Sequence, residues 1–201
     1  MKRPLATFYV AVAVAAATVG LVSWTTTTTT AARASQSEGT SMPPPASDAV
    51  IKLRGIDGKT YDIAEMKGNI LLVSFGATWC SPCTTELRAL EELKSEYRDK
   101  PVRFLWVSLD RREQLTDDGL RDFVHENKLS FPVLRDPTQL TFAQFSTRMR
   151  LPYVIFFDRE GRLAAPRHTG MAQPELYKKI IRENLDKLLK TGGTDNADDA
   201  K

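Results

Sequence analysis

Cysteine is nearly absent from this chain of 201 residues: it occurs only at Cys80 and Cys83. A framework of several disulfides is thereby excluded, and all sulfur chemistry is concentrated at one point. Histidine is equally scarce, with His125 and His168 single and far along the chain. A dominant charge of one sign is also missing. The 28 basic and 25 acidic residues leave a net +3 and are mixed along the sequence. No basic stripe exists to grip a polyphosphate, so nucleic-acid binding is not expected.

What is present is the run Trp79-Cys80-Ser81-Pro82-Cys83. Its spacing alone leaves three readings open: a redox dithiol, half of a zinc site, or a structural staple. A staple gains least when the loop it closes is this short. A closed zinc site wants four ligands, and His125 and His168, which read as surface residues, are the only other candidates. The dithiol is the favoured reading, with no metal and no cofactor expected at the pair.

Lys2 and Arg3 precede an apolar stretch, Leu5 to Trp24, in the order of an export signal. At a rise of about 1.5 Å per residue it could just cross a bilayer core of about 30 Å. Residues 1–24 are therefore read as a signal or anchor segment, either retained or removed near Ala34 in Ala32-Arg33-Ala34. No cysteine follows the stretch, so bacterial lipidation is excluded. Lys2 and Arg3 would stay in the cytoplasm and the remainder outside it. Residues 25–48, rich in Thr, Ala, Ser and Pro, read as a flexible tether, and 191–201 as a disordered tail.

Between them, residues 49–190 show the pattern of one folded domain. Val50–Leu53 and Thr60–Ile63 flank an Asp57-Gly58 turn and predict an opening hairpin. Ile70–Phe75 is a continuous apolar run, as in a strand buried on both faces, and ends just before Trp79. Leu87, Leu90, Leu93 and Tyr97 recur at helical spacing, which places the cysteines at a strand-to-helix junction. Further strands are predicted at Val102–Leu109, Phe131–Leu134 and Tyr153–Phe157, with a hairpin return at Arg162–Ala164. Helices are predicted after Asp117-Asp118, at Leu140–Phe145, and after Pro174. The last should present Leu176, Tyr177, Ile180, Ile181, Leu185 and Leu188 inward and stop at Gly192-Gly193. The order fits a central sheet with helices on both faces. Arg111-Arg112 and Asp117-Asp118 read as a solvated loop and a helix start.

The Trp-Cys-x-Pro-Cys run after a buried strand, and the Leu151-Pro152 step before a later one, resemble thioredoxin. The opening hairpin, the insert from Arg111 to Arg135 and the run Pro152–Gly161 are similar to its TlpA/ResA branch of extracytoplasmic, membrane-tethered proteins. The resemblance spans Val50 to Leu189. It implies an α/β thioredoxin fold: a central mixed β-sheet flanked by helices, with an N-terminal β-hairpin extension and a central insert. It further implies that Cys80 is the exposed nucleophile, Cys83 the resolving thiol and Pro152 a cis-proline opposite them. The chain departs from thioredoxin at Ser74, where an aspartate stands in thioredoxin itself, and around Pro152, which lacks the Gly-x-Pro-Thr flavour.

A sulfur at a helix amino terminus gains thiolate character from unpaired N–H groups, and Cys80 has that place. Pro82 in the first turn costs no hydrogen bond. Trp79 either packs beside the site and limits water access or is an ordinary core residue. The implied activity is protein disulfide reduction in exported proteins, with cytochrome c maturation as one client route and a membrane thiol donor of the CcdA/DsbD kind. The location is the bacterial periplasm. Two alternatives stand beside it. A peroxide-reducing (peroxiredoxin-like) thiol is usually supported by a Thr three positions before the cysteine, where this chain has Ala77. A metal-delivering relative separates its cysteines by three residues rather than two.

Overall fold

The computed structural model describes residues 50–171 and 173–191. The expected signal or anchor segment, the tether and the Gly192-Gly193 helix stop lie outside the described residues. Lys52–Arg54 (β1) and Thr60–Asp62 (β2) pair antiparallel, with Lys52 opposite Asp62 and ion-paired to it at 3.1 Å. The turn between them needs a left-handed residue, which Gly58 supplies at φ +83. The hairpin does not hang free. Ile56 N–H donates to the Val133 carbonyl at 3.0 Å, and Gly55 bridges to Leu134, so it covers an edge of the main sheet.

Ile70–Gly76 (β3) is the central strand, buried along its whole length. Val102–Ser108 (β4) runs parallel to it, and Val133–Arg135 (β5) runs parallel to β4. On the other side lie antiparallel Tyr153–Phe157 (β6) and Leu163–Thr169 (β7), giving the order β5-β4-β3-β6-β7. The sheet is mixed, as expected.

Because strand side chains alternate, β3 divides its residues between two cores. Ile70 and Leu72 join Leu87, Leu90 and Leu93 of helix α1 (Ser81–Glu96), Leu120 of α2 (Asp117–Glu126) and Tyr177, Ile181 and Leu185 of the last helix. Leu71, Val73 and Phe75 meet Ile51, Ile63 of a short 3-10 helix (Ile63–Met66), and Phe142 of α3 (Leu140–Ala143). Each such side chain, fully buried, contributes about 1.5–3 kcal/mol. The last helix, α4, is Pro174–Thr191.

Three expectations need correction. Leu176 is 50% exposed. The buried stripe is Tyr177, Ile181 and Leu185 at four-residue spacing, and the residue before Tyr177 is turned about 100° from it. Thr191 still belongs to α4 rather than to a tail. Strand β7 continues five residues past Ala164 to Thr169, because Thr169 and His168 pair with Tyr153 and Val154 beyond an irregularity in register. Pro166 is accommodated because β7 is the sheet's outer strand.

Candidate active site

The end of β3 delivers the chain to the cysteines, and its exit is fixed by hydrogen bonds. Leu109 N–H donates to the Gly76 carbonyl at 2.8 Å, and Cys80 N–H to Ala77 at 3.1 Å. Between them, Thr78 donates its N–H and its hydroxyl to the buried Asp110 carboxylate at 3.0 and 2.8 Å. Ser108 adds a third donor at 2.8 Å. The loop is thus clamped to the end of β4.

Cys80 is the N-cap of α1, and its Sγ accepts from Cys83 N–H at 3.3 Å. The two sulfurs are bonded, 2.07 Å apart. Cys80 keeps 7% of its surface exposed and Cys83 none, so only the first sulfur can be approached from outside. Pro82 lies in the first turn, where its missing N–H leaves no bond unmade. Opposite, Leu151 packs on Ala77, Cys80 and Cys83, and the Leu151–Pro152 peptide is cis with Pro152 buried.

Of the two readings of Trp79 the core one is corrected: the residue next to Cys80 in sequence is 60% exposed. Asp110 holds the preceding residue, and the side chain at 79 is turned outward. Met149, two residues before Leu151, is 46% exposed. Two apolar side chains that flank the Cys80 and Leu151 segments in sequence thus face solvent, while the disulfide itself is nearly buried.

Beneath Cys83 stands a residue that sequence reasoning missed. Glu86 is fully buried on α1, one turn after Cys83 and on the same face. Its Oε2 accepts from the Ser74 hydroxyl at 2.8 Å and its Oε1 from the Tyr177 hydroxyl at 2.6 Å. Burial pushes the carboxyl up to about 7, against the pull of those two hydrogen bonds. Ser74 thus does not leave the site without an acid; it holds one carried by the helix. The signal was in the stripe Cys83, Glu86, Leu87, Leu90, where a glutamate occupies an inward position.

His168 is corrected as well. It is half-buried on β7 with its ring against Tyr177 at 5.3 Å, and burial lowers its pKa. His125 is exposed on α2. Among the described residues no group of three or more His, Cys, Asp and Glu stands together to hold a metal ion. Ala77, fully buried, offers no hydroxyl three positions before Cys80.

Residues 45–165 match the AhpC/TSA family. The chain belongs to that family, in its TlpA/ResA-like branch. It is similar to the thiol-disulfide oxidoreductase ResA of Oceanobacillus iheyensis, with 36% identity over 81 residues, 40% of each chain. To ResA of Bacillus thuringiensis subsp. konkukian it is 30% identical over 135 residues, 67% of this chain and 70% of that protein. The alignments to the first curated relatives span 40 to 60% of those proteins' own length. A secreted Mycobacterium tuberculosis disulfide oxidoreductase homologous to E. coli DsbE superposes with a TM-score of 0.54 at 18% identity, covering 66% of this chain and 95% of that one. The thioredoxin fold expected from the sequence, with hairpin and insert, is the fold of the described domain.

Proposed function

We propose that this member of the family is a thiol-disulfide oxidoreductase that reduces disulfides in exported proteins through Cys80 and Cys83. The observation that carries this reading is a bonded cysteine pair across the first turn of a 16-residue helix, with Cys80 as its cap. Once the pair is reduced, the helix terminus and the Cys83 N–H favour the Cys80 thiolate. That thiolate attacks one sulfur of a client disulfide, and the other leaves as a thiolate that takes a proton from water. Cys83 then gives up its proton and attacks the Cys80 sulfur, releasing the client's second thiol. Two electrons pass to the client, and the Cys80–Cys83 disulfide remains.

In this reading Glu86, one turn from Cys83, receives the proton that Cys83 releases. A carboxyl at about 7 is suited to that exchange, being part protonated at neutral pH. Trp79 and Met149 offer apolar surface to the client, and Pro152 holds the Leu151 segment against the pair. A membrane thiol donor of the CcdA/DsbD kind returns two electrons to the pair, and cytochrome c maturation is one client route. The protein works outside the cytoplasm, tethered by residues 1–24 or freed near Ala34. The secreted M. tuberculosis relative and the apolar amino-terminal stretch support that placement. No helix among the described residues is long and apolar enough to cross a membrane.

The test is insulin reduction driven by dithiothreitol, with wild type and Cys80→Ser compared. Faster precipitation with wild type alone is expected, and equal rates would overturn the proposal. Thiol-dependent loss of hydrogen peroxide without insulin reduction would favour the peroxidase alternative, and stoichiometric copper or zinc binding without exchange the metal-delivering one.

A further inference from the structure

The β1–β2 hairpin and the α2 segment meet over the end of β5 and enclose a pocket of about 250 Å³. Four arginines line it: Arg54 from β1, Arg112 from the loop before α2, Arg121 from α2 and Arg135 from β5. They are scattered along the sequence, which is why no basic run announces the pocket. Folding alone brings them together.

Three of the four are braced. Arg135, its side chain 4% exposed, donates to Asp117 at 2.7 Å and to the carbonyls of Leu115 at 2.8 Å and Asp110 at 3.2 Å. Its Nε is buried without a hydrogen-bond partner. Arg112 shares the Asp117 carboxylate at 3.3 Å. Arg121 donates to the Ile56 carbonyl at 3.1 Å and pairs with Asp118. The exposed Arg54 guanidinium has no partner among the described residues.

Four guanidinium groups and the Asp117 carboxylate line the concavity, and the exposed Asp118 pairs with Arg121 outside the lining, so even with Asp118 counted the cluster keeps a net charge of +2. Walls of low dielectric concentrate such a field. Guanidinium forks match the paired oxygens of carboxylate and phosphate, and bracing fixes their direction before a ligand arrives. A purely structural network would account for Arg121, which ties hairpin to helix. It gives no role to Arg54 and leaves a buried donor of Arg135 unused. The volume lies below the roughly 300–1,000 Å³ of pockets for drug-sized ligands.

We infer that this pocket binds a small oxyanion, a phosphate or a carboxylate group, between Arg54, Arg112 and Arg135. The site is separate from the cysteine pair and does not depend on the exchange reading. Inorganic phosphate is titrated into the full-length chain by calorimetry at low salt, beside N-acetyl-trialanine with a free carboxyl end and the same peptide as its amide. Saturable one-to-one binding of phosphate, or of the free-carboxyl peptide but not its amide, is the expected result, and which of the two saturates assigns the source of the oxyanion. Arg54→Glu with Arg112→Glu should weaken it at least tenfold. Arg98→Glu, at the opposite end of α1 from its amino-terminal cysteine, should leave it unchanged. Absence of saturation by both ligands, or equal weakening by the Arg98 variant, would overturn the inference; thermal midpoints of all variants verify that they fold.

Discussion

Replacing Glu86 with glutamine removes one buried charge while keeping the shape of the side chain. The hydroxyls of Ser74 and Tyr177 can rotate, so one can turn from donor to acceptor and receive the new amide N–H. The carboxyl's rise from 4.5 to about 7 means that the folded state holds this proton more tightly than the unfolded chain does. Stability from this group is therefore fully present below pH 4.5 and falls as pH rises towards 7. At one pKa unit per 1.36 kcal/mol, the loss between pH 5 and pH 8 amounts to about 2–3 kcal/mol. Urea denaturation of the disulfide-bonded protein at pH 5, 6, 7 and 8 measures it, since oxidised cysteines do not titrate. His168 acts in the opposite sense. Its lowered pKa gives stability that is present above 6.5 and lost as pH falls through the folded value. The difference between wild type and Glu86→Gln isolates the carboxyl. Wild type should lose those kcal/mol with rising pH relative to the variant, and parallel curves for the two proteins would refute the reasoning.

Three further substitutions follow from the same geometry. A Cβ on Gly76 would lie 2.7 Å from Nε1 of Trp106, a fully buried ring stacked on Phe123, so Gly76→Ala should destabilise by about 1–3 kcal/mol in urea. Asp110→Ala strips the acceptor from Thr78 and Ser108 and should cost at least about 2 kcal/mol, read as a lowered thermal midpoint. Trp79→Ala touches an exposed ring and should change stability by under about 0.5 kcal/mol while slowing insulin reduction. A large loss of stability there would mean that the ring packs.

The framework was legible where one physical signal dominated. Ile70–Phe75 and Tyr153–Phe157 are unbroken apolar runs, Asp57-Gly58 marks a turn by its need for positive φ, and the paired cysteines announce their own chemistry. Tertiary contacts decided what stayed hidden. Glu86 stands at an inward position of the α1 stripe, but its partners, Ser74 of β3 and Tyr177 of α4, are distant in sequence and meet it only in the fold. Trp79 reads equally as a core residue or as a neighbour of the site, and only the Thr78–Asp110 clamp sets the loop that carries it outward. Strand β7 hid behind Pro166 because an outer strand tolerates a residue that an inner one rejects.

The exchange reading assigns attack to Cys80 and resolution to Cys83, and single-cysteine variants separate the two. Reduced Cys83→Ser and Cys80→Ser are each mixed with glutathione disulfide at pH 7, and the mixed disulfide is followed by mass. Fast adduct formation through Cys80, with the fully buried Cys83 reacting far more slowly, is the predicted result. Equal rates, or an adduct formed mainly through Cys83, would contradict it.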